Sequence, residues 1–282
     1  MPPIQAAVLK NLAKAAFKAQ AIVLPIDWEQ PTGEAGKQYV DAFKPYERFA
    51  PIDPSKLFIP ATPNRLHVDT VSRISSDFEK YIDGICDAIA LGWNQWRALA
   101  KFSSLQIMAV SAIGAPGCLK GPGLKNLILP TAPKKSSNET KFSKAIATHI
   151  GDAFKKWQDQ VMVPGLPWYP AFAAFPGPMA PPMPNVPTPL ASCPSAMMAE
   201  MTPPKLKDGM VKALNDKDAQ HHAALFDSIG QAVATTFTTW LPTQMVMNVL
   251  GKGPIPTFVP PFVPVGPVVA GDNLPIPGHL AA

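Results

Sequence analysis

The sequence predicts a mainly α protein with extended, irregular Pro-rich arms and few short strands, built as three diverged helix-plus-arm repeats arranged with pseudo-threefold symmetry. Three observations predict it. Proline supplies 35 of the 282 residues, more than twice the usual share of about 5%, and is densest in two tracts, 164–194 and 254–277. Outside the tracts, apolar residues recur every three or four positions, the period of an amphipathic helix. Three of those helices also end alike, on an aromatic-x-x-Trp: Trp93-x-x-Trp96, Phe154-x-x-Trp157 and Phe237-x-x-Trp240.

Taken in order, residues 4–22 read as a helix with a basic stripe, Lys10, Lys14 and Lys18, and an apolar face of Ile4, Val8, Leu12 and Ala15. Residues 23–65 are a loop-rich connector. It carries Trp28, Tyr39, Phe43, Tyr46 and Phe49, which suit packing rather than free solvation. From Val68 to about Leu99 the helical period is strong: Val71, Ile74, Phe78, Ile82, Ile85, Ile89, Trp93 and Trp96. A shorter helix is expected over 138–160 with Asn138 as its cap, and another over 206–240. Proline lacks an N–H and has a fixed φ, so the tracts between and after them cannot be helix or central strand. Their Phe, Val, Met, Trp and Leu content sets them apart from polar linkers.

Aligned on their aromatic ends, the three helices share one stripe. Ile89, Ile150 and Val233 stand four residues before the first aromatic; Ile85, Ile146 and Ile229 stand eight before; Tyr81, Phe142 and Leu225 stand twelve before. The match continues past each Trp. Gln106-Ile107-Met108, Gln160-Val161-Met162 and Gln244-Met245-Val246 suit short buried strands, and each is followed by a Gly/Pro run. This divides the chain into an N-terminal helix and connector (1–65), repeat 1 (66–130), repeat 2 (131–200) and repeat 3 with its Pro-rich C-terminal arm (201–282). A lone helix with one apolar stripe cannot bury it. Three can bury theirs on one another, with Ile89, Trp93, Trp96, Ile150, Phe154, Trp157, Val233, Phe237 and Trp240 as the repeat core. The arms are expected to dock on a partner through Trp168, Tyr169, Phe172, Phe175, Phe258, Phe262 and Val265. On that division, removing 254–282 leaves the three-helix core folded.

Composition narrows the function classes. Charged residues are only 16% of the chain and the net charge is +5. The one dense basic patch, Lys134 and Lys135 with Lys141 and Lys144 nearby, has no interleaved aromatics, so it reads as a solvated face and no nucleic-acid partner is expected. Three cysteines, Cys86, Cys118 and Cys193, are neither a disulfide framework nor a metal knuckle, and free thiols are expected. No uninterrupted apolar leader and no long uncharged apolar run is seen, so stable membrane insertion is not expected. The histidines, His67, His149, His221, His222 and His279, have no chelating spacing. No nucleophile elbow, phosphate loop or dinucleotide fingerprint occurs. The expectation is a non-enzyme with no catalytic residues, no metal and no cofactor.

Leu166-Pro167-Trp168-Tyr169-Pro170, Phe175-Pro176-Gly177-Pro178 and the Pro/Val/Phe run from Pro254 to Pro277 give the chain a loose resemblance to Pro-rich structural proteins of contractile phage tails and phage-like injection particles, in the baseplate and spike region. The resemblance covers less than half the chain and has no defining motif. It implies a virion or particle component, a hub, plug, collar or baseplate part, assembled in the bacterial cytoplasm with other structural proteins of threefold or sixfold symmetry. A cargo or effector carried by such a particle, or a cellular membrane-associated scaffold using the basic N-terminal helix, are the alternatives.

Overall fold

The computed structural model describes residues 3–24, 57–60, 65–216, 219–261 and 266–280. In chain order the elements are α1 (Ala6–Lys18), β1 (Val23–Leu24), β2 (Ile59–Pro60), α2 (Arg65–Leu99), β3 (Lys101–Phe102), β4 (Gln106–Met108), β5 (Ser111–Gly114), β6 (Leu119–Lys120), α3 (Leu124–Ile128), α4 (Ser137–Asp159), β7 (Val163–Pro167), α5 (Pro170–Ala173), β8 (Met179–Pro184), β9 (Thr188–Pro189), α6 (Pro203–Leu214), α7 (His222–Thr243), β10 (Met245–Val246), β11 (Leu250–Pro254) and β12 (Asp272–Asn273). The class is mainly α with short strands.

The long helices α2, α4 and α7 carry the repeated stripes, and every stripe position is buried, from Tyr81, Phe142 and Leu225 down to Trp96, Trp157 and Trp240. The six motif aromatics meet in one cluster. Trp93, Phe154 and Phe237, the first aromatics, lie with ring centroids 5.5, 6.3 and 5.9 Å apart. The second aromatic of each helix stands edge-on to the first of another: Trp96 on Phe154 at 4.6 Å, Trp157 on Phe237 at 5.1 Å and Trp240 on Trp93 at 5.3 Å. Edge-to-face pairing adds to the burial of large rings. Trp96 Nε1 donates to Gln158 Oε1 at 2.8 Å, which satisfies one indole that burial would otherwise strand.

Three shorter helices fill the grooves between the long ones. α1 packs on α7 and α2, α3 on α2 and α4, and α6 on α4 and α7. The closest approaches are at glycines: a Cβ on Gly209 of α6 would fall inside the His149 ring of α4. The buried face of α1 is Leu9, Ala13 and Phe17, not Val8 and Ala15, which are exposed. Phe17 sets the face, stacking on Phe78 at 5.4 Å and edge-on to Phe58 at 5.5 Å. The basic stripe is spent inside the chain: Lys10 pairs with Asp87 at 2.7 Å and Lys14 with Asp83 at 2.8 Å, both acids on α2.

Two helix boundaries differ from expectation. The stretch 206–240 is two helices, because Asn215 takes the left-handed conformation (φ 49°) as a C-cap and His221 (φ 57°) precedes the restart. The cap of α4 is Ser136, whose hydroxyl accepts from Glu139 N at 3.1 Å, while the Glu139 carboxylate accepts from Lys135 N. Asn138 lies within the first turn.

The arms do not radiate outward. They fold back and pair across the chain in small sheets, β4-β5-β7, β8-β11-β12, β3-β6 and β9-β10, with β1 and β2 parallel. The segment after α2 pairs with the one after α4 (Ala112 with Leu166). The latter pairs with the segment after α7 (Met183 with Gly251), and the last returns to the first, where Ile107 and Gly271 exchange both backbone bonds. Helices and arms bury a single continuous core. The strap from Gly266 to Leu280 contributes Val268 and Leu280 to that core.

Candidate functional site

Charge is segregated along the chain. Residues 102–119 and 160–199 contain no charged side chain, and 244–280 contains only Lys252, Asp272 and His279. Most ion pairs among the described residues join helical segments, whereas Lys252–Asp272, at 3.9 Å, joins two strands. The strands carry few charges, Lys101, Lys120, Lys252 and Asp272, and large apolar side chains are exposed among them: Met108, Val110 and Ile113 after α2, Met162, Tyr169 and Met179 after α4, Val259, Val269 and Ile276 after α7.

Several of these are brought together by backbone bonds between arms. The β4–β5 hairpin turns at Ala109, with φ 55°. At its tip Val110 O accepts from Trp168 N at 2.8 Å, and Ala109 N donates to Val268 O at 2.8 Å. Val269 N donates to Pro254 O at 3.1 Å, and Pro254 pairs with Met179. Met108 and Met179 thus stand on strands, and Val110, Tyr169 and Val269 on the segments beside them. These side chains are exposed, and large exposed apolar patches mark interaction sites or ligand-binding grooves.

What holds these strands is a set of buried polar side chains that sequence reasoning passed over. Prolines remove ladder donors, and Asn and Gln amides fill the gaps. Asn185 donates to Val186 O and Val246 O and accepts from Val249 N at 2.9 Å. Asn273 accepts from Leu105 N at 3.0 Å and donates to Phe102 O at 2.9 Å. Gln244 reaches Leu280 O and His279 Nδ1 accepts from Phe102 N at 2.8 Å. The signal available in the sequence is a lone amide in an otherwise apolar Pro-rich run, as at Asn185.

Of the expected docking residues, Trp168 (2% exposed) and Phe172 (0%) are buried in the chain itself, with Trp168 Nε1 bonded to Met183 O. Their arm folds back, so the rings fill its own interior. Phe175 and Phe258 are half-buried against the core, Tyr169 is exposed, and Phe262 and Val265 lie outside the described residues. The expected connector aromatics Trp28, Tyr39, Phe43, Tyr46 and Phe49 lie outside them too.

All three thiols are free and buried. Burial pushes Cys86 and Cys193 up to about 12 and raises Cys118, so the reactive thiolate is disfavoured. His149 Nε2 lies 3.0 Å from Lys205 O, and burial lowers its pKa. Among the described residues no group of three or more His, Cys, Asp or Glu is placed to hold a metal, and no helix is long and apolar enough to cross a membrane. A cavity of about 850 Å³ lies between α2, the start of α4 and the α6–α7 connection, lined in part by Asp77, Lys80, Tyr81, Glu139 and His221. Comparison with protein-family models, with curated proteins and with solved structures gives no match.

Proposed function

We propose that this chain is a structural component of a phage tail or phage-like contractile particle, a hub, plug, collar or baseplate part, that docks on other particle proteins through its uncharged arm surface. The observation that carries the reading is the segregation of charge: exposed apolar side chains from all three arms stand on a half of the molecule almost free of ions. Such a surface is stable only when covered. The binding energy would come from apolar burial, at about 25 cal/mol per Å², since proline limits the backbone donors on offer.

The same proposal takes the chain as three diverged units about a pseudo-threefold axis. The near-equal triangle of Trp93, Phe154 and Phe237 supports this, as does the cyclic order in which each second Trp meets the next first aromatic. The short helices extend the unit. α1 precedes α2 and sits between α7 and α2, as α3 precedes α4 between α2 and α4, and α6 precedes α7 between α4 and α7. A unit is then short helix, long helix and arm, and α1 belongs to the first unit rather than to a separate N-terminal segment. A threefold or sixfold partner matches that geometry.

The test is copy number. Mass spectrometry of purified particles from the source organism should find the chain at a fixed three or six copies. Full-length protein carrying Met108→Ser, Tyr169→Ser and Met179→Ser should keep its melting temperature and drop out of the particles. Absence from particles, or a copy number that varies between preparations, would sink the structural role.

A further inference from the structure

We propose that the C-terminal strap, residues 266–280, is an acid-released clasp and that His279 is the proton sensor that holds it on the segment following α2.

The strap is held by an alternating set of bonds. Going from its far end inward, Gly278 N donates to Ala100 O, His279 Nδ1 accepts from Phe102 N, Asn273 accepts from Leu105 N, Gly271 and Ile107 bond both ways, and Val268 O accepts from Ala109 N. Of the bonds at this outer end, the one to His279 is the one whose acceptor a proton abolishes. An Nδ1 that accepts from a backbone N–H must be bare, so the ring proton sits on Nε2. Nε2 is itself buried and has no partner among the described residues. Protonating Nδ1 would set two donors, Nδ1–H and the Phe102 N–H, against each other at 2.8 Å. The bond would have to break, and the imidazolium would have to leave a fully buried position, stacked at 6.4 Å on the Phe102 ring.

The surrounding charges act in the same direction. β3 contributes Lys101 and β6, its partner strand, contributes Lys120. On the strap the nearest acid is Asp272, which is exposed and paired with Lys252 of β11. Gln244 and Asn273 are neutral. Burial first, and Lys101 second, pull His279 down to about 4, against about 6.5 for a free histidine. The opened strap therefore takes up the proton before the closed one. The clasp is fully stable above about pH 6.5 and loses stability as pH falls toward 4, with the open population rising about tenfold per pH unit inside that window. Opening would free the backbone edge from Ala100 to Ala109 for another strand.

Amide hydrogen exchange on the full chain tests this, read as protection after correction for the intrinsic pH dependence. Protection at Phe102, Leu105 and Ile107 should fall about tenfold per pH unit from pH 6 to 4.5, while the amides around Trp93, Phe154 and Phe237 hold. His279→Gln, which stays neutral, should flatten the profile. Protection in the unmodified chain that does not change with pH would overturn the proposal, and so would an equal fall in His279→Gln. Should that variant not fold, the imidazole resonances of the unmodified chain decide. A midpoint well below 6.5 that tracks the loss of strap protection supports the clasp; a midpoint at about 6.5 refutes it.

Discussion

The helical and strand halves of this molecule solve the same burial problem with different materials. In the helical half the backbone satisfies itself, so side chains are free to specialise. One stripe of each long helix goes into the aromatic cluster, and charges go outside, as with Lys10–Asp87 and Lys155–Asp159. In the strand half proline has removed donors, and side chains must do backbone work. Asn185, Gln244, Asn273 and His279 are all buried, and each serves main-chain groups of a distant strand. The difference teaches where each half is vulnerable. The helices should be sensitive to lost volume, the arms to lost amides.

The largest effect is expected at the aromatic cluster. Trp93 is fully buried and touches Phe154, Phe237 and Trp240. Trp93→Ala should cost about 3–5 kcal/mol in equilibrium denaturation. A loss under about 1 kcal/mol, far below that range, would mean the cluster does not hold the helices together. Next comes Asn273→Ala, which strips a partner from both Leu105 N and Phe102 O at no great loss of volume. About 1–3 kcal/mol is expected, together with raised exchange at the Leu105 amide, which loses its acceptor. A neutral outcome would place the arms under the same volume rule as the helices and dissolve the contrast. The smallest effect is expected at the surface. Lys14→Ala breaks the pair with Asp83, in which both side chains are about one-third exposed, and should cost no more than about 0.2–1 kcal/mol, less at high salt. A larger, salt-independent loss would show that α1 is held by charge rather than by Leu9, Ala13 and Phe17.

The helices were legible because periodicity is local. Ile85, Ile89 and Trp93 announce a stripe within three turns, and the shared aromatic-x-x-Trp endings pointed to residues that do meet. The break between α6 and α7 was not legible. Apolar spacing runs on through Val211 and Leu214, and the stop depends on Asn215 accepting a left-handed backbone that many Asn residues never adopt. The arms were the harder case. Their fold rests on contacts such as Phe102 with His279, 177 residues apart, and no local pattern encodes a partner at that distance. Trp168 and Phe172 look like docking residues in sequence for the same reason: an aromatic beside prolines reads alike whether it meets another protein or its own returning chain. Asn185 stands out in sequence as a lone amide in an apolar Pro-rich run, but the main-chain groups it serves, on Val246 and Val249, lie 61 and 64 residues away.

The parallel pairing of Val23 with Ile59 and Leu24 with Pro60 fixes the departure of the chain after α1 and its return before α2 side by side. Leu57 and Phe58 are anchored in the core next to that junction, with Phe58 N donating to Ser75 Oγ at 3.3 Å. For a flexible segment inserted between two adjacent, anchored ends, each doubling of length costs only about 0.6 kcal/mol. The junction is thus a place where a reporter domain could be spliced with little strain on α1 and α2.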